Sequence, residues 1–172
     1  MYGSPNGSSG TPVTGVDGLA FRSVLSRFAT GVVAVTAVEP GSGRPIGLAA
    51  NSFSSVSLDP PLVAFSVAHT STTWPRLRAA GRLCVNILGE RQLHVAKRMA
   101  LSGGDKFAGI GWTPSPGGAP LIDGTLAWID CSVDREHPAG DHVIIVARVH
   151  ALAHQDDGAP LIFYGSAYGT LA

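Results

Sequence analysis

Three short stretches of this sequence gather polar groups able to touch a small molecule: Ala50-Asn51-Ser52-Phe53, Ser71-Thr72-Thr73 and Gly140-Asp141-His142. The first interrupts an otherwise apolar, strand-like run. The second lies where a helix is expected to begin. Backbone N–H groups and hydroxyls at such a place suit a bound phosphate or an ordinary N-cap. The third opens a strand, where a lone histidine is usually a surface residue. Arg76 and Lys106 are candidates for added positive charge.

None of these groups forms a self-sufficient catalytic set. No G-x-G-x-x-G joins a strand to a helix, and no G-x-x-x-x-G-K-[ST] or G-x-S-x-G is present. No Cys or His pair has zinc-site spacing. His150 and His154 share a strand face, but strand residues four apart are roughly 13 Å apart at Cα, too far for two ligands of one metal. Asp130 with Asp134, and Asp156 with Asp157, read as solvated charge, not as acid–base pairs. Chemistry on this chain therefore calls for a bound cofactor.

The elements that must position these groups follow from periodicity. Residues 1–16 are mostly Gly, Ser, Pro and Thr and read as a flexible tail, leaving 17–172 as one domain. Asp17 to Ala29 reads as a helix capped by Asp17 and stopped by Gly31, with Phe21, Val24, Leu25 and Phe28 on one side. Gly31 to Val38 is apolar on both faces, as a doubly covered strand is. Pro45 to Ser57 and Leu62 to Ala68 follow as strands. Ser71 to Ala80 reads as a short helix with Pro75 in its first turn and Gly81 at its end. Leu83 to Leu88 is a strand, Glu90 to Leu101 a helix facing inward through Leu93, Ala96 and Met99 or Ala100, and Gly103 to Gly118 a loop. Two long alternating strands come next, then a short one at Pro160 to Tyr164. Six or seven strands with few helices exclude a regular βα alternation and favour a small antiparallel barrel, mainly β with short helices.

Lys+Arg and Asp+Glu are both 12, with no basic stripe, which argues against nucleic acid as partner. Hydrophobic residues make up 45% and charged ones 14%, a surplus of apolar surface that dimerisation would cover. Cys84 and Cys131 both sit in apolar strand-like runs and read as reduced core residues of a cytoplasmic protein. No apolar run reaches membrane-spanning length and no signal pattern opens the chain, so a soluble protein with no membrane role is expected.

Longer segments around the polar stretches carry a resemblance. They are Thr30-Gly31-Val32 with Gly47 to Pro61, Ser66 to Pro75 continued by Leu83 to Leu88, and Ala139 to Ile144. Lys106-Phe107, Gly118-x-Pro120-Leu121 and Gly165-x-x-Tyr168 add to them. In this order they resemble the flavin reductase-like family, the FMN-binding split barrels that serve as short-chain reductases of two-component monooxygenases. The resemblance runs from about Phe21 to Leu171. It implies an antiparallel, Greek-key-like split β-barrel, homodimeric, that uses NADH or NADPH to reduce FMN or FAD. The reduced flavin would pass to a separate monooxygenase.

The resemblance also implies roles. Thr30, Gly31, Val32, Ala50, Asn51, Ser52 and Phe53 would line the flavin, and Ser71, Thr72 and Thr73 would meet its phosphate. His142 would contact the nicotinamide as the catalytic candidate, with Asp141 orienting the loop or the imidazole and Tyr168 near the cofactor. Asn86 reads equally as a tie between flavin-side loops and as a strand-end residue, and Trp74 and Trp112 as core or interface. No metal is implied. The expected reaction is hydride transfer between rings held about 3–3.5 Å apart, which requires no general base. Three alternatives use the same barrel: a tightly bound FMN acting on another substrate, a non-catalytic flavin- or haem-binding module, and a purely structural dimer.

Overall fold

A computed structural model describes residues 15–171. Most of the tail expected at 1–16 therefore lies outside the described residues. In chain order the elements are α1 (Gly18–Leu25), β1 (Thr30–Gly31), β2 (Val33–Val38), β3 (Pro45–Ala50), β4 (Ser54–Leu58), β5 (Pro61–Ala68), α2 (Trp74–Ala80) and β6 (Leu83–Ile87). A 3-10 turn at Glu90–Gln92 leads into α3 (Leu93–Ala100). Then come β7 (Trp112–Pro114), β8 (Pro120–Ile122), β9 (Ala127–Ala139), β10 (His142–His154), β11 (Ile162–Tyr164) and β12 (Ala167–Gly169).

Seven strands form the main sheet in the order β3-β2-β6-β9-β10-β5-β4, every pairing antiparallel. Two small antiparallel sheets, β1-β11-β12 and β7-β8, stand beside it. The described residues are thus mostly β, with three short α-helices.

β2 explains why its sequence does not alternate. Val33, Val35 and Ala37 enter one core with Phe65, Leu77 and Ile145, while Val32 and Ala34 enter a second with Met99, Phe107 and Leu161. The strand is the wall between two cores, so both faces are apolar. The run from Pro45 to Ser57, expected as one strand, breaks into β3 and β4 at Asn51-Ser52-Phe53. There the Ser66 N–H donates to Ser52 Oγ (2.9 Å), so a side chain takes the place of a ladder bond.

Three buried polar side chains on the central strands hold the β7–β8 hairpin. The Asn86 amide nitrogen donates to the carbonyls of Ala34 and Pro120, and Asn86 Oδ1 accepts from the Ile122 N–H (2.8 Å). The Thr36 hydroxyl donates to the Pro120 carbonyl. Asp130 accepts from Ser115 Oγ and the Gly117 N–H (both 2.6 Å) and pairs with Arg82. Asn86 therefore does not serve a strand end but ties the β7–β8 hairpin to β2 from within β6. Asp130, expected to be solvated, is fully buried, because a loop distant in sequence brings its partners.

The first helix departs from expectation. Asp17 caps it through the Ala20 N–H (2.7 Å), but it ends at Leu25, and Gly31 pairs with Ile162 in β1 instead of stopping it. Its apolar side chains are uncovered: Leu19 and Val24 are 81% and 70% exposed, and Phe28 just beyond its end is 74% exposed. α3 buries Val95, Ala96 and Met99 and leaves Ala100 exposed. β12 was not anticipated, because Gly165 and Ser166 turn the chain back within two residues. No described helix is long and apolar enough to cross a membrane.

Candidate active site

β3, β5, α3 and the start of β10 converge on a groove of about 410 Å³. Its position depends on Gly47. A Cβ there would stand 2.8 Å from Met99 Sδ and 3.2 Å from the Val35 carbonyl, so glycine leaves the room that the Met99 side chain of α3 takes against β3. Ala49, Ala50 and Ala68 keep the groove walls short, and Asn51 and Ser52 stand exposed where β3 ends.

The groove gathers seven of the expected residues: Ala50, Asn51, Ser52, Ser71, Thr72, Thr73 and His142. At one end Ser71 Oγ accepts from the Trp74 N–H (3.2 Å), an N-cap-like bond that starts α2. The N–H groups of Thr72 and Thr73 have no hydrogen-bond partner among the described residues. Beside them Lys106 is buried, its Nζ donating to the carbonyls of Gly47 (2.9 Å) and Met99 (3.0 Å) and to Thr73 Oγ1 (3.2 Å). All three ammonium protons are thus committed. The Thr73 hydroxyl, already an acceptor, is left to donate its own proton. Burial pushes the Lys106 pKa below its ordinary value, and Arg76 adds to the shift.

At the other end stands half-buried His142. Its Nδ1 lies 2.7 Å from Asp141 Oδ1, and this bond holds the Asp141 carboxyl below its usual range. The pairing favours the tautomer with the proton on Nδ1 and leaves Nε2 as an acceptor. The Asp141 carbonyl accepts from the His69 N–H (3.0 Å), which ties the β9–β10 turn to the end of β5.

Other expected residues stand elsewhere. Thr30 and Gly31 form β1 against β11, and Tyr168 sits in β12, packed edge-on against Phe163. Val32 lies in the second core, which backs the groove through Met99, and Phe53 packs on the first core. Trp74 is a core residue, edge-on to Phe65. His150 bonds Ser132 Oγ (2.8 Å) and His154 the Gln155 carbonyl (3.2 Å), and no metal cluster occurs among the described residues. Lys106 is more central than its sequence signal suggested; the adjoining Phe107, a core residue, was the clue that the lysine is drawn inward.

Register pairs Cys131 with Leu83 and Cys84 with Asp130, so the two thiols point to opposite faces of the sheet. Both are free, and burial pushes each up to about 12.

Comparison with known proteins places the chain in a family. The profile of the family described as flavin reductase like domain matches residues 25–172. A flavin reductase from Pseudomonas putida is 45% identical over 157 residues, covering 91% of this chain and 92% of its own. Component B of a nitrilotriacetate monooxygenase from Mycobacterium thermoresistibile superposes with a TM-score of 0.85 at 46% identity, covering 90% of this chain and 86% of its own. The NADH:FAD oxidoreductase SgcE6 of Streptomyces globisporus, solved with NAD and FAD fragments, gives 0.87 at 32% identity, with 95% and 98% covered.

Proposed function

The chain belongs to the flavin reductase like domain family and is an NAD(P)H:flavin oxidoreductase supplying reduced flavin to a monooxygenase; from that premise we propose that its flavin and nicotinamide meet in the groove over β3. The observation that carries this reading is the groove's division of labour. A short-walled polar stretch lies between an anion-seeking end and a histidine end.

The donor set fits a flavin. Short alanine walls let a flat ring approach the backbone, and Asn51 offers an amide to its polar edge or ribityl chain, while the Ser52 hydroxyl, bonded both ways to the Ser66 backbone, keeps one lone pair to accept with. The Thr72 and Thr73 N–H groups and the Thr73 hydroxyl are donors for the phosphate, with the Lys106 charge behind them. Flavin and nicotinamide supply the redox chemistry between them, a two-electron hydride transfer. The chain's work is placement. His142 Nε2 accepts from the nicotinamide carboxamide, and Asp141 locks the ring that does so. No side chain has to move a proton.

This assignment uses the seven residues that the groove gathers and gives Thr30, Gly31, Val32, Phe53 and Tyr168 no contact with flavin within one chain. The seven-stranded sheet is read as the family's split barrel, paired in a homodimer through the uncovered face of α1. Two free thiols agree with a cytoplasmic setting.

The direct test follows NADH oxidation by absorbance as free FMN or FAD is added. Turnover that rises and saturates with flavin is expected, with flavin lost on gel filtration. Turnover without added flavin, by protein that keeps a bound flavin through gel filtration, would move the assignment to a resident cofactor.

A further inference from the structure

α3 has two unlike faces. Val95, Ala96 and Met99 point into the second core, and the end of the helix, from Met99 through Leu101 to Ser102, lines the groove. The outward face carries Arg91, His94, Lys97 and Arg98 at helical spacing, all exposed. Between residues 90 and 100 the only carboxylate is Glu90. Arg91, Lys97 and Arg98 make no ion pair among the described residues, and Arg98 reaches only the Asp105 carbonyl (3.5 Å). Elsewhere Arg76, Arg78, Arg135 and Arg148 are each matched with a carboxylate.

Helix stability explains half of this row. Lys97 and Arg98 stand in the last turn, where the helix dipole favours cations. Arg91 stands at the opposite end, in the 3-10 turn that leads into the helix, where a cation opposes the dipole. The dipole therefore leaves the start of the row unexplained.

Position supplies a reason. At a rise of about 1.5 Å per residue, Lys97 lies about 3 Å along the axis from Met99 in the groove wall, and Arg91 about 12 Å. Both distances are comparable to or below the reach of a charge in water, about 8 Å at physiological salt and about 30 Å at 0.01 M. Arg44, exposed and also without an ion pair, lines a cavity beside Thr72, Thr73 and Lys106 and extends the positive surface to the phosphate end. The flavin and nicotinamide nucleotides are anions, whereas the chain has a formal net charge of zero. Net charge alone draws anions to no part of such a molecule; a local row of unpaired cations does.

We infer that the outward face of α3 is an electrostatic capture surface. It draws nucleotide phosphates toward the mouth of the groove and sets how fast they arrive, without touching them once they are bound. The inference rests on the placement of flavin in the groove.

The test is stopped-flow binding of FMN and of riboflavin, which has the same ring and no phosphate, followed by flavin fluorescence. Wild type is compared with Arg91→Glu, Lys97→Glu and the double variant. At about 0.01 M salt the double variant should take up FMN about tenfold more slowly, with FMN dissociation and riboflavin association unchanged. At about 1 M salt, where the Debye length is about 3 Å, wild type and variant should take up FMN at the same rate. Lys97→Glu should slow FMN more than Arg91→Glu, being nearer the groove. Arg91→Glu places an acid where the dipole favours one, so it reports the field without weakening the helix. FMN association that is unmoved by the double variant overturns the inference. So does an equal loss for riboflavin, the mark of a disturbed helix, and so does a change confined to FMN dissociation, the mark of direct contact. Riboflavin that fails to bind the wild type overturns the placement in the groove, and the inference with it.

Discussion

His142 and Lys106 mark the two ends of the groove, and each makes a prediction. His142 offers one hydrogen bond to the nicotinamide, so His142→Ala should raise the NAD(P)H KM about tenfold while the flavin Kd stays unchanged. A rise in flavin Kd with an unaltered nicotinamide KM would place the histidine on the wrong ligand. Lys106 acts by charge, since its protons are committed to Gly47, Met99 and Thr73. Its pKa lies below the ordinary 10.5, so it loses its proton earlier than a free lysine as pH rises. The sign follows: FMN affinity falls across that alkaline window while riboflavin affinity holds. An FMN Kd that is flat with pH, or that tracks riboflavin, would detach Lys106 from the phosphate. The three polar stretches were legible in the sequence because each breaks an apolar or extended run. Arg44 was not legible, since an exposed arginine after a turn looks like any other until a cavity opens beside it.

The strands were legible to the extent that their faces were. The double-sided apolar character of β2 fits two cores, whereas the expected alternation holds over Val143 to Ala147 of β10 and is broken beyond it by register shifts against β9, where Asp130 and Cys131 are both buried. Asp130 shows where the method fails. Alternation gives a residue's face but not what another part of the chain brings to that face. Arg82, Ser115 and Gly117 arrive from a neighbouring strand and a remote loop. Replacing Asp130 by Ala leaves two buried donors unpaired and strands Arg82, at a cost of about 3 kcal/mol. For a domain of this size that is a fall of about 6–12 °C in Tm, measurable by calorimetry. An unchanged Tm would mean the hairpin does not hang from this carboxylate.

Among the described elements, α1 is one left with its apolar side chains uncovered. An eight-residue helix is marginal on its own, and this one buries none of its side chains. It is tied to the body by the Gly165 N–H, which donates to the Ser26 carbonyl (2.8 Å). The periodicity of Phe21, Val24 and Leu25 marked a helix, but Phe28 falls beyond its end at Leu25. Sequence does not say whose surface covers an apolar face, because burial against a second copy leaves the same pattern as burial within the chain. The wild type is expected to be a dimer by light scattering. Leu19→Glu with Phe28→Glu should weaken it by about a hundredfold or more, at about 1.5–3 kcal/mol per apolar side chain returned to water. A monomeric wild type, or a double variant that still dimerises, would remove α1 from the interface.

Reduced flavin reacts with dioxygen and yields peroxide, so an enzyme that releases it works amid an oxidant of its own making. Peroxide attacks thiolates, not thiols, and only where it can reach them. Cys84 and Cys131 are sealed inside the sheet, on opposite faces, and stay protonated to about 12. Their burial thus gives the catalyst chemical endurance: its sulfur stays out of reach of the by-product of its own turnover.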